Sequence, residues 1–315
     1  VQAIGSVAIH DITIQPNASL TVKGVFKVSG IITNSGVFNA SEGTIEFNGS
    51  SAQSFSGSYF FNKTIKNLIL TNASGLSLNA VANDTLNITG TVSFANSNVV
   101  FNTNDNLTLK SSASATANIA DITNNGIYSG NNIVGNVIVE HYINTGKATG
   151  QMSKKWVFVG FPTQGQSVKE SLMENGNIKS TGYGVQITGA GGTASGFDLA
   201  SPSPSMKYYN ESNGTWTGIA KTSDPVYDAN GYMIFVRGDR SVDGKTITDP
   251  NPTNLRTKGK LILGDQVLTL PANNMFASVA NPFASDVDMR NVIQSTGSDF
   301  FYVWNPLLGG NYGYG

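Results

Sequence analysis

Cysteine is absent from the 315 residues. No disulfide framework and no thiolate metal site can therefore form, and stability must come from a continuous apolar core. Charge is scarce. Asp, Glu, Lys and Arg make up 12% of the chain, about half the usual ~25%. A net charge of −1 leaves no basic face for nucleic acid and no polybasic membrane signal. Arginine is missing from residues 1–135, and the four in the chain are Arg237, Arg240, Arg256 and Arg290. Histidine occurs only at His10 and His141. No run of about 18 apolar residues exists, so no helix is expected to span or insert into a membrane.

In place of charge the chain carries Asn, Ser, Thr and Gly. That mix disfavours long helices and favours strands joined by turns. Val, Ile, Leu, Phe and Tyr recur throughout, which separates it from a disordered composition. The chain opens on VQAIGSV and stops at GGNYGYG, with neither an initiator Met nor a signal peptide. It is expected to be part of a longer or processed chain.

The pattern divides near Gly135. Residues 1–135 alternate in VAIHDITI (7–14), SLTVKGVFKV (19–28), GTIEF (43–47), NLIL (67–70), LNITGTVSF (86–94) and NLTL (106–109), with Asn/Gly/Ser turns between. Self-similarity is present. ITIQPNASLTV (12–22) is like LILTNASGLSL (68–78), and LTVKGVFKV (20–28) is like LNITGTVSF (86–94). The second offset, 66 residues, fits three rungs of a β-solenoid near 20 residues each. The expected fold is a right-handed parallel β-helix with Ile12, Ile14, Leu20, Val22, Phe47, Leu68, Leu70, Ile88 and Phe94 inward. An open antiparallel sandwich is the alternative.

Residues 136–315 hold every Arg, every Trp and all prolines but Pro16. Strands are expected at 136–143, 155–161, 182–187, 206–210, 231–236, 259–263, 266–270, 276–280 and 300–304. Short helices are expected at 166–175 and 285–295, the latter with Ser285 as N-cap and Asp286 and Asp288 in its first turn. The overall expectation is an all-β chain, a solenoid over 1–135 followed by a β-sandwich-like domain over 136–315 with two short helices.

Within GYMIFVRGDR (231–240) stands Arg237-Gly238-Asp239, the tripeptide that integrins read. The strand before it alternates with apolar residues on both faces, which places it centrally in a sheet. The tripeptide is then expected to be the turn that leaves the strand, with Gly238 free to take positive φ and the charges in solvent.

Catalytic constellations are sparse. In residues 1–135 the acids Asp11, Glu42, Glu46, Asp84, Asp105 and Asp121 are scattered. Glu42 and Glu46 alone are close, and a solvated pair is expected, with no lysine clustered against it. His10 alternates with apolar neighbours and is expected at the surface. The histidines fall in different domains, so they form no shared zinc site. No GxSxG elbow exists, and GAGG (189–192) lacks the lysine of a phosphate loop. Asp243, Asp249 and Asn251 do not match a calcium-loop spacing. No catalytic, cofactor or metal residue is assigned. Tyr208, Tyr209, Trp216, Tyr232, Phe301, Tyr302 and Trp304 are aromatics able to stack on sugars. Trp216, after the turn in NGTWTG, is the candidate glycan contact.

The stretches GNVIVEHYI (135–143), KWVFVGFP (155–162), SLMENG (171–176), GYGVQITG (182–189), SGFD (195–198), YNESNGTWTGI (209–219), GYMIFVRGDR (231–240), NLRTKGKL (254–261), ANPFASDVDM (280–289) and FYVWNPLLGG (301–310) carry a family likeness. In order, they resemble a recurrent region of large secreted surface proteins of Bacteroidota exported by the type IX secretion system. GTIEFNGSSAQSFSG (43–57) and IKNLILTNASGLSL (65–78) are similar to the strand repeats that precede it. The resemblance implies a non-enzymatic, adhesin-like protein at the cell surface or released. Its partners would be the export machinery, surface glycans or like chains. Asp84-Thr85-Leu86 resembles the short O-glycosylation motif of these bacteria, with Thr85 as acceptor. The resemblance also implies that the RGD turn belongs to the fold. A carbohydrate-binding or carbohydrate-active protein is the alternative.

Overall fold

A computed structural model describes residues 1–124, 126–145, 154–242, 250–268, 276–289 and 302–303. It is nearly all β. Among the described residues the only helical elements are 3-10 turns, at Gly57–Tyr59, Phe61–Lys63, Glu174–Gly176 and Gly192–Ser195. No helix among them is long and apolar enough to cross a membrane. The chain forms two compact units. One is Val1–Glu140 with Gly259–Gly264, and the other is His141–Lys258 with Asp265–Gly315.

The first unit is a β-solenoid of about five turns. One wall stacks Gln2–Ala3, Ser19–Val22, the start of Val37–Phe47, the start of Thr64–Leu70, Leu86–Ile88, Leu107–Leu109 and the start of Asn136–Ile143, all parallel. A second stacks Ser6–Ile9, Val25–Val28, the ends of Val37–Phe47 and Thr64–Leu70, then Thr91–Phe94 and Asn118–Ile119. A third contains Gln53–Phe55, Leu76–Leu78, Val100–Asn102 and Asn132–Val134, with Ile12–Ile14 and Ile32–Asn34 paired separately. The pairings that build these three walls are all parallel, which excludes the antiparallel sandwich.

The register explains one sequence likeness and dismisses the other. Leu20 pairs with Phe38, Ala40 with Ile65 and Ile65 with Ile88. These steps make residues 20–28 and 86–94 three rungs apart on the same walls, so they face the same neighbours. By contrast, 12–14 and 68–70 lie on different walls. Their likeness reflects shared turn composition.

Alternation puts one side of each strand inside. Ile14, Leu20, Val22, Phe47, Leu68, Leu70 and Ile88 are buried as expected. Ile12 and Phe94 are only half-buried. The core also contains a run of phenylalanines. Phe47 stacks on Phe55 at 4.3 Å, Phe55 on Phe101 at 6.4 Å, and Phe60 meets both Phe55 and Phe38 edge-on or tilted. Corners need close approach between rungs. A Cβ on Gly24 would sit 1.9 Å from the Gly5 carbonyl oxygen, so only glycine fits there.

The polar residues of the turns are internal as well as external. Buried Asn72 donates to the Ser51 carbonyl and to Gln53 Oε1, while Gln53 Nε2 donates to the carbonyls of Val28 and Gly30. Asn106 does the same for the carbonyls of Asn79 and Val81. Amide side chains from the next rung thus add hydrogen bonds to carbonyls at and beside the turns, which keeps buried backbone oxygens paired.

The second unit contains a four-stranded antiparallel sheet ordered Lys155–Val159, Tyr232–Val236, Met206–Asn210, Thr215–Gly218. Val157, Val159, Met206, Tyr232, Ile234 and Val236 face a core with Ile143, Val168, Leu172, Val185, Ile187 and Leu255. Several expected elements differ. Residues 166–175 form successive turns ending in Glu174–Gly176, not an α-helix. Glu174, Asn175 and Gly176 all have positive φ (48°, 58° and 84°), which stops helix propagation after one turn. Of 285–295, the described residues 285–289 form no α-helix, and the remainder lies outside the described residues. Residues 182–187 form no strand: Gly182 and Gly184 have positive φ (80° and 67°), and Tyr183 makes an isolated bridge to Asn254. Residues 276–280 form no strand, and most of 266–270 and 300–304 either forms none or lies outside the described residues.

Candidate functional site

The RGD turn is structural, but not for the reason its charges suggest. Asp239 and Arg240 are 1% and 0% exposed, so the expectation of solvated charges is wrong. Asp239 Oδ2 accepts from the Gly182 amide at 2.7 Å, and Oδ1 accepts from the Ser241 amide at 2.9 Å and its hydroxyl at 2.5 Å. Arg240 forks onto Asp198 at 2.8 and 3.0 Å and also donates to the carbonyls of Asn177 and Val185. Apart from Asp239 Oδ1, which takes Ser241, the polar atoms that a short sequence window assigns to solvent are paired with residues 42 to 63 positions away, which no local pattern can show. Gly238 has φ 111°, and a Cβ there would lie 2.6 Å from Pro250 Cβ.

Asp239→Glu preserves charge but adds a methylene to a closed site. It should lower stability by about 1–3 kcal/mol, read by urea denaturation. The folded native protein should not bind an RGD-reading integrin in a plate assay. Binding that Asp239→Glu abolishes while the variant stays folded would show the carboxylate to be accessible.

Glu42 is exposed as expected, but Glu46 is not. Glu46 is 7% exposed and pairs with Lys27 at 2.9 Å, with Thr71 Oγ1 donating to its other oxygen at 3.0 Å. Glu42 lies 3.6 Å from Lys23. Both lysines come from the preceding rung, where Lys27 is the register partner of Glu46. Stacking thus creates lysine–carboxylate pairs that the linear sequence hides. Glu140 is likewise buried against Lys110 and the Ser111 amide.

His10 meets Ser29 and Asp11, a serine–histidine–aspartate set by composition. His10 Nδ1 and Ser29 Oγ are 3.0 Å apart, but Ser29 also donates to the Ile9 carbonyl. Asp11 Oδ1 is 4.0 Å from the imidazole and already accepts from the Ile31 amide at 2.7 Å. It therefore does not orient the ring as a triad acid must. Among the described residues no three His, Asp or Glu side chains gather as metal ligands. Asn251 is exposed, and Asp243 and Asp249 lie outside the described residues.

Thr85 is half-buried in the loop entering Leu86–Ile88. Its neighbour Asp84 is buried, accepting from Ser56 Oγ and from the Ser58 amide. The motif's carboxylate is thus held inward instead of being displayed beside Thr85.

No family model, curated protein sequence or solved structure matches the chain. What remains is the geometry of the aromatics. Trp216 is 40% exposed and touches Tyr209 and Phe158 edge-to-face, with centroids 5.3 and 5.9 Å away. Trp156 and Phe235 pair across the same sheet at 5.3 Å. Lys207 Nζ lies 4.9 Å over the Trp156 ring, and Arg237 Cζ 4.8 Å over that of Phe235. All project from the side of the sheet opposite its core, because cross-strand partners share a side and alternate with the core residues.

The other aromatics singled out by sequence do different things. Tyr208 packs against the core and Tyr232 is part of it, with burial pushing the Tyr232 phenol pKa up. Tyr302 is exposed and touches Phe276, while Phe301 and Trp304 lie outside the described residues. Sequence reading found Trp216 from its turn. It missed Trp156, Phe158, Lys207, Phe235 and Arg237, which alternation could have assigned to one face only if strand order were known.

Proposed function

We propose that this chain is a non-enzymatic structural and adhesive segment of a cell-surface or released protein, exported by type IX secretion in a Bacteroidota bacterium. The solenoid serves as the scaffold, and the second unit, read as a sandwich-like domain, makes the contacts. The observation that carries this reading is how the solenoid's polar groups are used. Asn72, Gln53, Asn106, Glu46 and Glu140 are each consumed in joining one rung to the next. A lyase or glycosidase would need two carboxylates, or a carboxylate and a base, held open toward substrate. The type IX assignment is supported by the resemblance of 135–310 to that protein class.

Labelling intact cells of the encoding bacterium with a membrane-impermeant reagent tests the reading. The protein should be labelled at the surface or recovered from the medium, and should be retained in the periplasm when the type IX machinery is deleted. Equal surface labelling with and without that machinery would refute the export route. Recovery only from the cytoplasm would refute the whole proposal.

A further inference from the structure

Arg237 is a half-buried cation with one shielded donor in need of an acceptor. Its Nη1 atom is shielded from solvent, yet no hydrogen-bond acceptor reaches it. It forms no ion pair among the described residues, unlike Arg240 with Asp198 and Arg256 with Glu174. Burial lowers its pKa, so its charge is held at a cost that a bound anion would relieve. A shielded guanidinium donor without an acceptor is uncommon in a folded protein and calls for a partner.

The surroundings specify that partner. Outward positions on the four strands are Trp156, Phe158, Met233, Phe235, Lys207, Tyr209, Trp216 and Gly218, with Arg237 one residue beyond its strand. None is a carboxylate. Among the described residues, these strand positions therefore offer rings and two cations and no carboxylate. Exposed Trp216, set edge-to-face against Tyr209 and Phe158, offers a flat apolar ring to the C–H face of a pyranose. A planar guanidinium matches a carboxylate by two parallel hydrogen bonds, which a lysine cannot do. A ligand that alternates apolar sugar faces with carboxylates fits both features together.

The geometry points to this face of the sheet as a binding site for a uronate-bearing acidic polysaccharide, with Trp216 and Tyr209 stacking on sugar rings and Arg237 and Lys207 holding carboxylates. It rests on the adhesive reading above and names the adhesion partner.

The test uses the full chain in affinity electrophoresis through gels containing polygalacturonate, alginate, dextran sulfate or neutral dextran. Polyuronates should retard the protein, neutral dextran should not, and added salt should weaken the effect. Arg237→Gln and Trp216→Ala should each weaken polyuronate binding by about tenfold or more. Thermal melting should show both variants folded. Trp216 lies on an edge strand and is partly exposed, so its replacement keeps the test valid if Arg237→Gln unfolds. Absence of polyuronate retardation overturns the site. So does retardation by dextran sulfate as well as polyuronate that neither substitution changes, which marks non-specific charge binding. A change in oligomeric mass on substitution, without change in glycan binding, would show that a second copy of the chain covers this face. The assay is independent of export. A protein that is surface-exposed but blind to polyuronates refutes this site alone, and one that binds polyuronates but stays in the cytoplasm refutes the proposed function alone.

Discussion

Asp198→Ala should destabilise the protein by about 3–5 kcal/mol. Arg240 is wholly buried, and Asp198 supplies the only carboxylate it meets among the described residues, through two hydrogen bonds. Removing that carboxylate leaves a guanidinium in a closed site with only the carbonyls of Asn177 and Val185 as acceptors. It also frees the Ile187 amide, which donates to Asp198 Oδ2 at 2.8 Å. The double variant Asp198→Ala with Arg240→Leu removes both charges and should recover part of the loss, because the pair is costly to break but replaceable as a unit. Urea denaturation of wild type and the three variants measures this as a cycle. A double-variant loss equal to the sum of the two single losses would show that no coupling exists between the two groups. The result also bears on the RGD question, since Arg240 and Asp239 act together as internal struts of the second unit.

Phe55→Ala should cost about 3–5 kcal/mol, by removing a large buried side chain and leaving a cavity. Phe55 is fully buried and contacts Phe47, Phe60 and Phe101, which come from neighbouring stretches of the solenoid. In a stacked fold each rung buries its face against the next, so the gap weakens the interfaces on both sides. Phe55→Leu, which fills most of the volume, should cost clearly less. Hydrogen exchange resolves the effect along the chain. Protection should fall first in Val37–Phe47, Leu76–Leu78 and Val100–Asn102, whose inward residues surround the ring. Unchanged protection there would mean that the phenylalanine run does not couple the rungs.

Alternation was sufficient for much of the solenoid. Val22, Leu68, Leu70 and Ile88 could be assigned inward because period-two burial is a property of each strand by itself. The 66-residue likeness held for the same reason, since segments three rungs apart see equivalent neighbours. The helix over 166–175 was misread because apolar spacing favours a helix there, with Val168, Leu172 and Met173 all buried. Positive φ at Glu174 and Asn175 is not visible in residue types outside glycine. Trp216 was legible from the turn before it. The rest of its face was not, because Trp156, Lys207 and Phe235 lie on strands whose order in the sheet departs from their order in the chain.

By itself, the sequence determined what depends on neighbours within a few residues: the β class, the turns and the inward side of most solenoid strands. Tertiary structure alone decided where charge goes. Lys27 meets Glu46 across one rung, and Arg240 meets Asp198 from 42 positions away. Arg237, two positions beyond the outward-facing Phe235 and on the same side, meets no anion among the described residues. Whether an ionisable side chain is a solvated loop charge, a buried strut or an open binding group depends on dielectric and partners. Both are set by segments distant in sequence that folding brings together.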